Sequence, residues 1–183
     1  MASSPVFLLL LLAFSVRGSA FWTPMMPNMI ETKLQFYLQD WETGKNPTAT
    51  TIAGAKGLAS SVLNFGTVLA IDDAVTEGAD RNSKQVGRAH GIYVNSALDG
   101  SDLHFLFSVV FTNEKYNGST LEIQGADRFF LKQREVSVVS GTGSFRFAKG
   151  YATLETVYLD LPGLNAVVKF NVTVVHLSSK GHF

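Results

Sequence analysis

The chain has no cysteine, only 5 prolines and no excess of either charge, with Lys+Arg 15 against Asp+Glu 15 in 183 residues. Without cysteine there is no disulfide framework, no thiolate nucleophile and no thiolate-held zinc or iron–sulfur cluster. A net charge of zero leaves no basic footprint for a phosphate backbone, so nucleic acid is not an expected partner. His90, His104, His176 and His182 are scattered without metal-ligand spacing, and no metal is expected. Gly141-Thr-Gly143-Ser-Phe lacks the third glycine of a dinucleotide loop, and no serine nucleophile elbow occurs; neither cofactor nor acyl-enzyme chemistry is expected. Any oxidation would have to come from another protein or a small oxidant.

Long hydrophobic runs are also scarce. The longest, Val6 to Val16 (VFLLLLLAFSV), is about half the ~20 residues a membrane-spanning helix needs. It is followed by Gly18-Ser-Ala20, small residues suited to a signal peptidase, so residues 1–20 read as a signal peptide and no membrane anchor is expected. A buried N-terminal helix is the alternative. Residues 21–31, with Pro24 and Pro27, read as an irregular arm, and 32–183 as one domain. Export fits two sequons, Asn117-Gly-Ser and Asn171-Val-Thr, as glycosylation sites; Asn46-Pro-Thr is disqualified by its proline.

What is abundant is strand material. From Thr32 to Leu177, short runs rich in Val, Phe, Tyr, Thr and Leu alternate with Gly, Asn, Asp and Ser. Eight strands are expected, at 33–40, 60–72, 86–95, 103–111, 119–123, 134–140, 145–158 and 166–177. The fold class is all-β, a sandwich or an antiparallel barrel, and eight strands suffice for a closed barrel that holds one small ligand. Closure would also remove exposed sheet edges.

Alternation sorts the side chains. Leu34, Phe36, Leu38 and Asp40 share one face of the first strand, and Gln35, Tyr37 and Gln39 the other. Asp40 thus falls in line with the interior set, where burial would raise its pKa, or it begins and caps the turn Asp-Trp-Glu-Thr-Gly. A glycan on Asn171 would put Val167, Lys169, Thr173 and Val175 outside and Val168, Phe170, Val172 and Val174 inside. For the pair Asp72-Asp73 both flanking faces are apolar, and alternation cannot choose between them. Asp127 and Arg134, seven residues apart across a loop, could form an ion pair that polarises a phenol or carbonyl, or be unrelated surface charges. Tyr93 is either a phenolic donor or core packing.

Several ordered motifs carry a resemblance: NFGTVLAIDD at 64–73, VGRAHGIY at 86–93, YNGSTL at 116–121, Gly125-Ala-Asp127, REVSVVSGTG at 134–143 and FRFAKG at 145–150. Together they resemble the plant dirigent proteins from about Leu34 to Leu177. The resemblance implies an eight-stranded antiparallel β-barrel, secreted to the apoplast, glycosylated, and assembled as a trimer or dimer. It implies a protein that holds phenoxy radicals or quinone methides, made by a laccase or peroxidase, so that one stereochemical outcome follows. Radical coupling of phenylpropanoids in lignan-type biosynthesis is the expected role. Ring closure on a quinone methide, as in pterocarpan synthase, is the alternative, and the spellings NFGTVLAIDD and VGRAHGIY lie nearer that branch. A non-catalytic carrier or carbohydrate-binding barrel is a third possibility. Carried over by motif, Asp40, Tyr93, Asp127 and Arg134 are the implied site residues, with Asp73 as a fifth. Asp40 and Asp127 are expected to be protonated donors, Arg134 to fix Asp127 or a phenolate, and Tyr93 to orient the ring. Gln39 stands where the family usually has histidine, Asn95 where many pinoresinol-forming members have a second tyrosine, and Arg128 where a proline usually follows Gly-Ala-Asp.

Overall fold

The structure, a computed structural model, describes residues 28–54 and 61–178. The expected signal peptide and most of the expected arm lie outside the described residues. Nine strands follow in order: β1 (Met29–Trp41), β2 (Ala49–Ala53), β3 (Val68–Thr76), β4 (Gln85–Asn95), β5 (Leu103–Phe111), β6 (Thr120–Asp127), β7 (Arg134–Gly141), β8 (Lys149–Asp160) and β9 (Asn165–Leu177). All pairings are antiparallel, in the order β1-β9-β8-β7-β6-β5-β4-β3, and β3 pairs back onto β1 to close an eight-stranded barrel. Closure satisfies both edges of each barrel strand, which an open sheet this rich in valine and phenylalanine would leave available for aggregation.

Closure is shared at β3. Its C-terminal residues Ala74–Thr76 pair with Gln39–Tyr37 of β1, while Val68–Ile71 pair with the short β2. Asp72 and Asp73 occupy the point where β3 changes partner. Thr48 stitches this junction: its amide donates to the Trp41 carbonyl at 2.7 Å, and its carbonyl accepts from the Asp72 amide at 2.8 Å.

The observed strands correct the expected ones in four places. The second expected strand, 60–72, is displaced to Val68–Thr76, because Ser61–Thr67 form turns held by bonds such as Asn64 N to Ser61 O at 2.9 Å. Polar Thr50 and Thr51 hid β2, which has no apolar run of its own and is supported by β3. The expected strand 145–158 begins only at Lys149, since Gly143–Phe145 form a 3-10 turn between β7 and β8. At the other end β1 starts at Met29, so the barrel reaches three residues into the expected arm.

Inside, alternation holds well. Phe36 and Leu38 are buried, as are Val168, Phe170, Val172 and Val174, while Asn171 is exposed. Two outward positions are covered nevertheless: Val167 is 3% exposed and Gln39 is 1% exposed. Gln39 Nε2 donates to Thr76 Oγ1 at 3.0 Å and to the Ala79 carbonyl at 3.3 Å, so it ties β1 to the segment after β3 and does not face the interior.

One half of the interior is filled by aromatic rings. Phe36 stacks on Phe170 at 5.3 Å between centroids, Phe107 meets Phe170 edge-on at 6.3 Å, and Phe111, Tyr116 and Phe145 contact one another at 4.7 to 5.8 Å. Tilted and edge-on pairs each add about 0.5–1.5 kcal/mol beyond their burial. The other half is not filled.

Candidate functional site

The unfilled half holds a cavity of about 680 Å³, counting the part open to solvent. Its walls include Leu38 from β1, Phe105 from β5 and Val168 from β9, with Phe129 reaching in from the β6–β7 loop. Its polar groups come from the same end of four strands or their extensions: Asp40 and Glu42 after Leu38, Tyr93 on β4, Asp127 closing β6 and Arg134 opening β7.

Asp73 stands behind Tyr93 and is fully buried at 0% exposure. It accepts the Tyr93 hydroxyl at 2.9 Å on Oδ2 and the Thr48 hydroxyl at 2.6 Å on Oδ1. Burial pushes its carboxyl up to about 7, against these two donors, which favour the anion. Its neighbour Asp72 points out and pairs with Arg88 at 2.5 Å and His90 at 2.8 Å, which holds its carboxyl below the usual range. The partner change of β3 thus resolves what alternation left open. Leu69, Ile71, Asp73 and Val75 form the buried face.

Asp40 differs from Asp73 in having no partner. As a residue it is partly exposed, but its Oδ1 is buried with no hydrogen bond. Burial raises its carboxyl well above the ordinary value, and the carboxyls of Asp73, Glu42 and Asp127 raise it further. Thr48 and Tyr93 donate to Asp73, whereas Asp40 has no such donors, so of the two Asp40 keeps its proton to the higher pH.

Across the cavity, Arg134 Nε donates to Asp127 Oδ1 at 2.6 Å and Nη2 to Oδ2 at 3.3 Å, with both side chains under 5% exposed. Burial pushes Asp127 up and Arg134 pulls it down. Burial prevails and the carboxyl lies above its ordinary value, while the two-pronged contact with the Arg134 guanidinium limits that rise. Arg134 Nη1 is buried without a partner, an unused donor on a cavity-lining side chain. On β6, Gly125 takes φ +149°, and a β carbon there would lie 3.2 Å from the Val136 side chain. Tyr93 packs on Phe105 at 4.8 Å and edge-on to Phe107 at 6.2 Å, so its hydroxyl is the only polar part of a rigid aromatic wall. Its own proton is held firmly, first by burial and then by the surrounding carboxyls.

The structure therefore brings four of the five expected residues, Asp40, Tyr93, Asp127 and Arg134, to one cavity, with Asp73 as support behind Tyr93. Among the described residues, no group of three or more His, Asp or Glu is placed to hold a metal ion.

The Dirigent-like protein family model matches residues 31–175. The chain belongs to the dirigent family. It is 41% identical to Dirigent protein 1 of Arabidopsis thaliana over 92% of each chain. It is 35% identical to Pterocarpan synthase 1 of Glycine max over 96% of this chain and the whole of that one. Among solved structures, one pterocarpan synthase dirigent protein superposes with a TM-score of 0.79 at 34% identity, covering 86% of this chain and 91% of the other. The fold and family expected from the motifs are those observed.

Sequence reasoning missed two members of this dirigent site. Thr48 lies in a loop, and nothing local signals that its hydroxyl reaches Asp73. Glu42 also lines the cavity, and burial alone raises its carboxyl to about 7. Its signal was present, since it lies two residues beyond Asp40 and continues the same alternation. Asn95 is buried and donates to the carbonyls of Val62 at 2.7 Å and Gly100 at 2.9 Å, fastening the segment that carries Val62 and Leu63 against the cavity.

Proposed function

We propose that this dirigent protein guides ring closure on a quinone methide. The observation that carries this reading is Asp40: an unpartnered carboxyl kept in its acid form at the wall of an apolar cavity. A proton given to the quinone-methide oxygen makes the benzylic carbon more electrophilic, and general acid catalysis of this kind contributes about 10²–10⁴-fold. Arg134 Nη1 supplies a fixed charge for the phenolate that develops, and Asp127 holds the guanidinium in place. Asp127 acts here as an anion that positions Arg134, where the sequence had suggested a second proton donor. Tyr93 and Phe105 orient the ring so that one face is open to attack, and a difference of ~1.4 kcal/mol between the two faces already gives a tenfold preference.

The ledge of Leu159 and Leu161, half-exposed at the cavity, supports the second reading, coupling of two phenoxy radicals with one ring inside and one on the ledge. A laccase or peroxidase would then supply the oxidation. Secretion to the apoplast and glycosylation are part of the proposal, supported by the Val6–Val16 run and by the exposure of Asn117 and Asn171.

Chiral chromatography tests the two readings side by side. One arm uses a hydroxyl-tethered quinone methide, the other coniferyl alcohol with a one-electron oxidant, each against a protein-free control. Enantiomeric excess in the first arm, lost in Asp40→Asn while ligand binding persists, is the expected outcome. Excess only in the second arm would establish coupling. Racemic products in both, with binding unchanged in Asp127→Asn, would leave a carrier.

A further inference from the structure

Ring closure on a quinone methide moves two protons. One is added to the carbonyl oxygen, and one leaves the hydroxyl that attacks the benzylic carbon. Asp40 supplies the first, but the second also needs a destination inside the cavity. Asp127 is committed to Arg134 in a two-pronged contact, and Asp73 is screened by Tyr93 and occupied by two hydroxyl donors. Glu42 is the remaining carboxyl on the wall.

We propose that Glu42 is the general base of the cavity, accepting the proton of the attacking hydroxyl while Asp40 protonates the quinone-methide oxygen. The inference rests on the ring-closure reading above. Glu42 and Asp40 line the same cavity from one stretch of chain two residues apart, Asp40 within the wall and Glu42 half-buried and partly in contact with water. Among the described residues, Glu42 has neither a hydrogen bond nor an ion pair, so its oxygens are free for a ligand. The charged and titratable groups around the cavity are Asp40 on β1, Asp73 on β3, Tyr93 on β4, Asp127 on β6 and Arg134 on β7; β8 and β9 contribute Thr156, Leu159, Ala166 and Val168, none of which ionises. The only cation in that set is taken by Asp127.

The two carboxyls are poised for opposite roles. Glu42 titrates at about 7, whereas Asp40 is raised well above its ordinary value, partly by the charge on Glu42 itself. Near neutrality Glu42 is available as the anion and Asp40 as the acid, the separation that marks an acid–base pair. In the step, the Asp40 O–H bond breaks and a phenolic O–H forms. The substrate hydroxyl loses its proton to Glu42 as the new C–O bond closes. The proton on Glu42 then returns to Asp40, through the water at the mouth, and the site is restored with no net gain or loss.

The test follows the rate of closure of the hydroxyl-tethered quinone methide from pH 5 to 9 in wild type, Glu42→Gln, Glu42→Asp and Asp40→Asn. Wild type is expected to lose rate below about pH 7, where Glu42 takes a proton, and again at high pH, where Asp40 loses one. Glu42→Gln should lower the maximal rate by ~10²-fold and abolish the acidic limb without weakening probe binding, Glu42→Asp should restore the limb, and Asp40→Asn should remove the alkaline limb. Retention of the acidic limb in Glu42→Gln would assign it to Asp73 and overturn the inference. In parallel, carbon-detected NMR titration should show the Asp40 carboxyl moving down in Glu42→Gln; an unmoved Asp40 would also overturn it. A wild-type protein that does not accelerate the probe at all defeats the ring-closure reading and this inference together, whereas an active wild type with an unaffected Glu42→Gln defeats the inference alone.

Discussion

The two halves of the barrel interior are built from the same strands with the same alternation, yet one is solid and the other hollow. In the solid half, phenylalanines 36, 107, 111, 145 and 170 meet ring to ring. In the hollow half, inward positions are taken by Asp40, Tyr93, Asp127 and Arg134, of which Asp40 Oδ1 and Arg134 Nη1 are buried without a partner. The difference is one of purpose per residue: a ring in the solid half gains its whole contact energy on folding, whereas an unpaired carboxyl costs desolvation that a ligand can recover. Stability should be concentrated in one half and selectivity in the other.

The largest expected effect tests that division. Phe170→Ala, in the solid half, should cost about 3–5 kcal/mol in denaturant unfolding, because the Phe36 and Phe107 rings packed on it cannot collapse onto the void. Phe105→Ala, on the cavity wall, should cost less, since one side of its ring already faces empty space, but should reduce enantiomeric excess. Equal losses of stability from the two would break the comparison.

Next is the buried ion pair, the one feature of the hollow half that behaves like core. Arg134→Met leaves the Asp127 carboxylate buried and alone and should destabilise by about 3 kcal/mol. Asp127→Leu combined with Arg134→Met should regain most of that loss in the same unfolding assay while leaving the protein unselective. A double variant as unstable as the single one would mean that the pair, rather than the unpaired charge, carries the stability.

Acidity gives a smaller and pH-dependent effect. Asp40 and Asp73 hold protons in the folded state at pH values where an unfolded carboxyl, ordinarily 3.8, has lost them. The folded protein therefore binds more protons than the unfolded one above about pH 4, and stability falls as pH rises, until about 7 for Asp73 and further for Asp40. Wild type should be more stable at pH 5 than at pH 8 by the order of 1–3 kcal/mol. Asp40→Asn, which removes a group with no hydrogen-bond partner to lose, should flatten this slope and raise the melting temperature at pH 8. A slope unchanged in the variant would show that Asp40 is ionised in the folded protein.

The fold was legible because period-two alternation reports burial directly. It placed Leu34 to Asp40 and Val168 to Val174 correctly without any partner strand being known. It failed where tertiary structure overrides the local pattern. Val167 and Gln39 face outward yet are buried, Gln39 beneath the segment of Thr76 and Ala79, and β2 exists because β3 offers Thr50 and Thr51 an edge. In the site, Asp127 and Arg134 were found by separation along the chain, but their two-pronged geometry depends on the β6–β7 rim. Thr48 could not be found, since its role depends on β3 changing partners 25 residues away.

The smallest expected effect concerns adjacent residues that the sequence treats as equals. Asp72 and Asp73 differ only in which way the strand turns them, and the outward one is spent on Arg88 and His90 in contact with solvent. An exposed pair of this kind is worth about 0–1 kcal/mol, and salt screens it. Asp72→Asn should lower stability by no more than that, with the loss vanishing in high salt, and should leave enantiomeric excess unchanged. Asp73→Asn replaces one of two acceptor oxygens by Nδ2, which cannot accept; Thr48 can turn its hydroxyl to the Gln39 carbonyl at 3.3 Å, whereas a Tyr93 hydroxyl set against Nδ2 loses its acceptor, at about 1–3 kcal/mol. If Tyr93 is the one released, its ring gains freedom over the cavity and enantiomeric excess falls as well. Matching consequences at 72 and 73 would mean that burial at this junction does not separate structure from selectivity. A contrast confined to position 73 would locate the boundary between the barrel's outer face and its selective interior at a single peptide bond.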